Sequence, residues 1–450
     1  MNRLVYLLCL LTWLPAAALQ GQALVAEQSA HTVVRLTLDE AIARGLPASH
    51  RLEEAGARRA AGAAAVDQRR AALMPRISAQ AGYVRTNHVD PFGILLPSNQ
   101  LRVIYPDIPD NYRSRLDAQW PVYTGGRLEA LERAARTDAS ALDHDQSAVR
   151  ADVRAEIAHA YWSLVSAGES IAVLDRALER LEAHLRDARN RLEAGLVSPL
   201  DVLSAEAQRA RQQMLRIQAA SSRDVAEASL VRLVGLTPGT RIEPVSRPDA
   251  APVPSDGFEA LLNEARAARS DRLALDARIG AAGQRQEAAT ASRKPTIGVG
   301  AGVDYARPNP RIFPRQGAWR ESWDAGVSID WPLFDGGRAK ADLAEASAAQ
   351  RVAQARLAEF DSLLALEIRR RLSEVASSQA AIGAADAAIR AATEAHRVAG
   401  DRFSAGVATS TDVLDAQLTI LQASLERTQA AVSLRIAEAD LARAVGRQGP

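Results

Sequence analysis

A chain of 450 residues would ordinarily divide into two or three compact domains, but only 4% of it is aromatic while 47% is hydrophobic, with alanine prominent. That composition suits long helices packed through small side chains rather than large globular cores. The formal net charge of +1 removes the electrostatic case for nucleic acid, and the single cysteine, Cys9, leaves no disulfide framework or thiolate chemistry for the rest of the chain.

Residues 1–23 read as a secretory signal peptide. Arg3 supplies the positive end, Leu4 to Leu14 the apolar core, and small residues before Ala18 or Ala23 the cleavage site. The apolar core is shorter than the ~20 residues a spanning helix needs. No later apolar run approaches that length, so a membrane crossing by this chain has to be a β-barrel.

The mature sequence says the same thing twice. Trp120-Pro-Val-Tyr-Thr-Gly-Gly-Arg127 returns as Trp331-Pro-Leu-Phe-Asp-Gly-Gly-Arg338, 211 residues on. Arg191-Leu-Glu-Ala-Gly-Leu-Val-Ser-Pro-Leu-Asp-Val-Leu203 returns as Arg402-Phe-Ser-Ala-Gly-Val-Ala-Thr-Ser-Thr-Asp-Val-Leu414 at the same offset. A fixed register between landmarks marks a duplicated unit, which divides the chain into repeats at 24–247 and 248–450.

Each repeat is predicted to run helix, strand pair, long helix, shorter helix. Leu36 to Ala43 is a short amphipathic turn, with Thr37 as cap and Glu40 three residues on; Gly45 and Pro47 are expected to interrupt it. A helix then resumes to about Met74 and stops before Pro75. The second copy matches this stretch with Phe258 to Arg293, stopping at Lys294-Pro295.

Hairpins follow at about 76–123 and 296–334. Every odd position from Ile297 to Tyr305 is apolar and every even one is Gly or Asp, and Trp323 to Trp331 alternates likewise. Arg115 to Val122 and Ile77 to Val89 repeat the pattern more loosely. Period-two alternation sets one face against an apolar medium and the other against water or small side chains. A sandwich strand on a protein core alternates too, but little else in the chain is β-like enough to pack on. Trp120, Tyr123, Trp319, Trp323, Trp331 and Phe334 gather at strand ends, as an interfacial aromatic belt would. Pro121 and Pro332 close their strands. The pairs Gly125-Gly126 and Gly336-Gly337 then supply a strand-to-helix elbow, since glycine alone takes positive φ without cost.

From Arg127 to Ala194 there is no proline, and leucines recur at three- and four-residue steps, so at ~1.5 Å per residue this helix is a rod of roughly 100 Å. The chain reverses after Gly195, and after Gly406 in the second copy. The returning helix carries a seam at Leu203, Ala207, Ala210, Met214 and Ile217, echoed by Leu414, Leu418, Leu421 and Leu425. By length, the helices before the strands and after the tip lie end to end along the long one. Four strands cannot close a barrel, which needs about eight, so the hairpins must be completed by other chains. Three copies give twelve strands.

The catalytic candidates fall away. Glu156-Ile-Ala-His159 has the spacing of a carboxylate-bridged metal bundle, but its repeat partner offers Glu367 and Arg370, which points to a helix-surface ion pair. Asp143-His144-Asp145 are adjacent on a helix and do not face one point. The glycines from Gly298 to Gly302 sit inside an alternating strand, so they smooth a barrel wall rather than cradle a phosphate. No cofactor, metal or catalytic residue is expected.

At the two Trp-Pro-x-aromatic-x-Gly-Gly-Arg segments and the paired Ala-Gly-x-x-x-x-x-Asp-Val-Leu tips, the chain resembles the TolC-type outer membrane efflux protein family over essentially its whole mature length. The resemblance implies a mainly α fold with a transmembrane β part. In it, a homotrimer shares a twelve-stranded barrel in the outer membrane lipid and an α-barrel tunnel across the periplasm. It further implies a passive exit duct that docks through its tips (Gly195, Leu196, Leu203, Gly406, Val407 and Leu414) onto a periplasmic adaptor and an inner-membrane pump. By tip alignment Asp201, Asp412 and Asp415 fall on the family's acidic gate, although Asp201 and Asp412 also stand where helix caps belong. The arginine latch of some relatives is replaced by Ala408. The alternative from another class is a secreted coiled-coil scaffold or adaptor that never enters a membrane.

Overall fold

The computed structural model describes residues 33–248 and 257–447; the segment read as a signal peptide lies outside the described residues. Two 67-residue helices dominate, α3 (Arg127–Glu193) and α7 (Arg338–Ser404). Alongside α3 run α2 (His50–Ala71) and, returning from the tip, α4 (Pro199–Leu233). Alongside α7 run α6 (Ser270–Ala291) and α8 (Ser410–Val445). Both α6 and α8 also pack on α3, which joins the two repeats into one wall. No helix among the described residues is long and apolar enough to cross a membrane.

The expected helix break in the first repeat needs correction. Helix α1 (Leu38–Ala48) runs through Gly45 and Pro47, and the break comes at Ser49, whose backbone is extended (φ −80°, ψ 111°). Pro47 falls one residue before the helix ends, so the i→i−4 bond it removes lies in the terminal turn and no later turn depends on it, and a side chain at Gly45 would collide with Ile157. The matching stretch of the second repeat, Phe258 to Arg293, likewise forms two helices, α5 (Phe258–Ala268) and α6. They are separated at extended, buried Arg269 (φ −63°, ψ 114°). From that bend the guanidinium donates to Asp271 (2.7 Å), Glu367 (2.9 Å) and the carbonyl of Ala444 (3.2 Å).

A short parallel pair, β1 (Val33–Leu36) with β6 (Arg241–Pro244), escaped the sequence reading because four residues carry too little periodicity to recognise. It covers the largest core cluster, where Leu36, Ile157, Tyr161, Trp162, Leu230 and Ile242 are buried against one another. The Tyr161 hydroxyl is fully satisfied there, donating to the carbonyl of Leu36 (3.0 Å) and accepting from the Ser246 N–H (2.9 Å).

The remaining strands form one antiparallel sheet in the order β2 (Arg76–Arg85), β5 (Asp110–Tyr123), β7 (Thr296–Arg307), β8 (Arg320–Asp330). Pro121 does not end its strand as expected. β5 continues to Tyr123, and the register shifts by a bulge between Pro121 and Tyr123, which absorbs the missing N–H. The long loop of the first hairpin carries a further hairpin, β3 (Phe92–Leu95) with β4 (Leu101–Tyr105), that the second repeat lacks.

Candidate functional site

Three places carry the features a conduit needs: the sheet, the elbows and the tips. Register pairing sorts the sheet into two faces. Leu116, Val303 and Trp323 stand in one row, Ala118, Ala301 and Ala325 in the next, and Trp120, Val299 and Val327 in a third. Trp323, Val327 and Ile329 are among the most exposed large apolar side chains in the chain. The opposite face carries Arg115 beside Asp304, then Asp117, Gly302 and Asp324, then Gln119, Gly300 and Gly326. An apolar face exposed on a sheet whose other face is polar is the pattern of a transmembrane barrel, lipid outside and water inside.

Aromatic rings mark both ends of the apolar face. Near the β7–β8 loop, Tyr83, Tyr112, Trp319 and Tyr305 form a continuous series with centroids 4.9 to 5.7 Å apart. At the elbow end stand Trp120, Tyr123, Trp331 and Phe334, all exposed. Trp323 lies one row in from the loop-end series. From Tyr305 to Ile297 the strand advances about 26 Å, close to the ~25 Å apolar band of outer-membrane barrels. The sequence reading picked out only Trp319 of the loop-end series, because its rings come from separate strands and a loop and only pairing brings them together.

At the elbows all four glycines have positive φ: 65° and 88° at Gly125 and Gly126, 67° and 91° at Gly336 and Gly337. Gly126 and Gly337 are the N-caps of α3 and α7 and offer no side chain, so the residue two before each supplies the cap. Asp335 accepts from the N–H groups of Gly337 (2.9 Å) and Ala339 (2.7 Å), and Thr124 accepts more weakly from Leu128 (3.3 Å). Those bonds to backbone N–H groups hold the Asp335 carboxyl below the usual carboxylate range. Each elbow is also stapled to the helix before its hairpin: the indole N–H of Trp120 donates to Leu73 (3.1 Å), and that of Trp331 to Arg293 (3.2 Å).

At the tips, α3 and α7 end in the same way. The N–H of Gly195 bonds Leu192 and that of Leu196 bonds Arg191; Gly406 bonds Phe403 and Val407 bonds Arg402. This double bond pattern over a left-handed glycine (φ 73° and 75°) is the Schellman stop. The next helices open with capping boxes, Ser198 with Asp201 and Thr409 with Asp412. Asp415 lies exposed on α8, outside the cap. Leu196, Val407 and Leu203 are exposed, whereas Leu414 is buried against α3 among Leu181, Leu185 and Ala188. Just inside the tip, buried His184 lies with Nε2 2.8 Å from the Ser410 hydroxyl and its ring against Phe403; burial pushes its pKa down.

Glu156 and His159 turn to separate partners. His159 pairs with Asp440 (2.7 Å) and Glu156 with Arg51 (2.9 Å), and no cluster that could hold a metal occurs among the described residues.

Comparison with known proteins agrees with this geometry. The outer membrane efflux protein family matches residues 41–236 and 261–447. The chain belongs to that family. It is 28% identical over 333 residues to protein CyaE of Bordetella pertussis, covering 73% of this chain and 69% of that one. It is 26% identical over 349 residues to the cobalt-zinc-cadmium resistance protein CzcC of Cupriavidus metallidurans, covering 74% and 77%. Among solved structures, the outer membrane protein VceC of Vibrio cholerae superposes with a TM-score of 0.76 at 23% identity, covering 91% of this chain and 96% of that one. The fold is thus that of the family's channels. The protein is an outer membrane efflux channel that extends into the periplasm, and the scaffold alternative is not favoured.

Proposed function

We propose that the chain works as a homotrimer, a passive exit duct whose twelve-stranded barrel and helical tunnel are each shared by three copies. The observation that carries this is a mismatch between quasi-equivalent surfaces. On α8, Leu414 and Leu421 are buried against α3. The equivalent seam on α4 has no such cover, and Leu203, Met214 and Ile217 stand exposed. Strands β2 and β8 are likewise open edges of the sheet. A neighbouring copy that presents its α7 to α4 and its β8 to β2 covers both. No catalytic step is assigned to the chain.

In this reading the tips face a periplasmic adaptor, with Leu196, Val407 and Leu203 as the exposed apolar contacts around Gly195 and Gly406. Asp415, with Asp201 and Asp412 at the helix starts, supplies the carboxylates that narrow the entrance. The inner-membrane pump supplies both the energy and the choice of cargo.

Cysteine pairs test the assembly, since the only native cysteine lies in the segment read as the leader. Ala79→Cys on β2 combined, one at a time, with Ala325→Cys, Val327→Cys or Ile329→Cys on the same face of β8 is expected to yield interchain disulfides and a trimer-sized band from outer membranes. A mature chain that fractionates as a soluble monomer, with no crosslink at any pair, overturns the proposal.

A further inference from the structure

The barrel's polar face holds an ionic network with no counterpart in the gate or the tips. Arg115 lies at its centre. Its Nε donates to Asp117 (2.7 Å), and its terminal nitrogens reach Asp324 (3.0 and 3.2 Å) and Asp304. Asp304 also accepts from Arg113 (2.6 Å), and Asp324 pairs with Arg311 (2.9 Å). One guanidinium thus spans three strands and touches three carboxylates. It does so lying flat on the wall, over Gly302, where any side chain would run into it.

Within the network three carboxylates balance three guanidiniums, but not evenly. Asp304 and Asp324 each keep a second arginine, whereas Asp117 has Arg115 alone among the described residues. Charged groups on a lumen wall tune which ions pass. Neutrality at this level of the barrel therefore hangs on one residue.

We propose that Arg115 is a selectivity-determining residue of the barrel: by masking Asp117, Asp304 and Asp324 it keeps this level of the lumen electrically neutral toward ionic cargo. The proposal rests on the trimeric-channel reading. Losing Arg115 uncovers one negative charge per copy, and losing Asp117 uncovers one positive charge per copy. Three added charges about 10 Å from the pore axis, in water at about 0.1 M salt, change an ion's relative permeability on the order of twofold.

The test is the reversal potential of single channels in planar bilayers under a KCl gradient. It is measured in the native mature chain and again with Asp415→Ala, so that tip carboxylates do not mask the barrel. Arg115→Gln is expected to raise the cation-to-anion permeability ratio about twofold, Asp117→Asn to lower it by a similar factor, and the double variant to return close to the parent. Conducting channels whose reversal potential moves with neither single change overturn the proposal and leave the channel reading intact. Should Arg115→Gln not assemble, Asp117→Asn decides alone, since it removes one partner and leaves the rest of the network paired. A parent chain that inserts without conducting overturns the channel reading and this proposal together.

Discussion

Asp412 Oδ2 lies 2.8 Å from both the backbone nitrogen and the hydroxyl oxygen of Thr409, so this carboxylate is engaged at the start of α8. Those bonds from Thr409 hold its carboxyl below the usual range. Asp415, one turn on, makes no such bond among the described residues. The two acids of the second tip are therefore separable by experiment. Asp415→Ala is expected to raise single-channel conductance and antibiotic leakage while the first turn of α8 keeps its protection against amide exchange. Asp412→Ala is expected to lose that protection first. Unchanged conductance in both variants would leave Asp412 as a cap only and take Asp415 out of the gate.

His184 makes the same tip acid-sensitive. It is buried beside Ser410 at the N-terminus of α8, where the helix dipole also opposes a positive ring. Burial lowers its folded pKa, with Asp187 and Asp201 pulling upward and His396 and Arg191 downward. A depressed histidine is neutral in both folded and unfolded chains well above its ordinary value. Its stabilising effect is therefore complete there and lost as pH falls below about 6.5, where the unfolded chain takes up the proton first. The protection factors of the amides from Phe403 to Leu414, taken against the intrinsic exchange rate at each pH, are expected to fall between pH 7.5 and pH 5, and His184→Gln to flatten that dependence.

The elbow glycines separate fold from assembly. A methyl at Gly125 would meet the Lys294 side chain at 2.7 Å within the same chain, whereas nothing lies within 4 Å of the equivalent point at Gly336. Both have positive φ, which costs any other residue roughly 1–2 kcal/mol. Gly125→Ala is expected to reduce the yield of folded protomer. Gly336→Ala is expected to spare the protomer more and, in the trimer proposed above, to weaken assembly, because within the chain its side is open. Thermal melting of the trimer band on gels, set against far-ultraviolet circular dichroism, distinguishes the two.

Trp331→Phe keeps an aromatic ring, though a smaller one, at the barrel end and removes the indole N–H that holds the carbonyl of Arg293. The expected loss is on the order of 1 kcal/mol, the worth of one hydrogen bond, seen as a lower melting temperature with conductance unchanged. Trp120→Phe is expected to match it, because its bond to Leu73 is the same staple in the first repeat.

The elements the sequence determined by itself are those held by local chemistry repeated over many residues. The 67-residue rods follow from proline-free runs of helix formers. The turns at Gly195 and Gly406 follow from left-handed backbone only glycine takes cheaply, and the polar and apolar faces of β7 and β8 from strict alternation. What the tertiary structure decided are relations between distant segments. The seams of α4 and α8 look alike in sequence, yet one is exposed and the other buried, because α8 lies between α7 and α3 whereas α4 has a long-helix neighbour, α3, on only one side within the chain. Arg115 reads as one charge in a weakly alternating strand. Its role exists only because pairing sets Asp304 beside it and Asp117, Gly302 and Asp324 in the next row. Periodicity decides which face a residue occupies, and the pairing of strands and helices decides what that face meets.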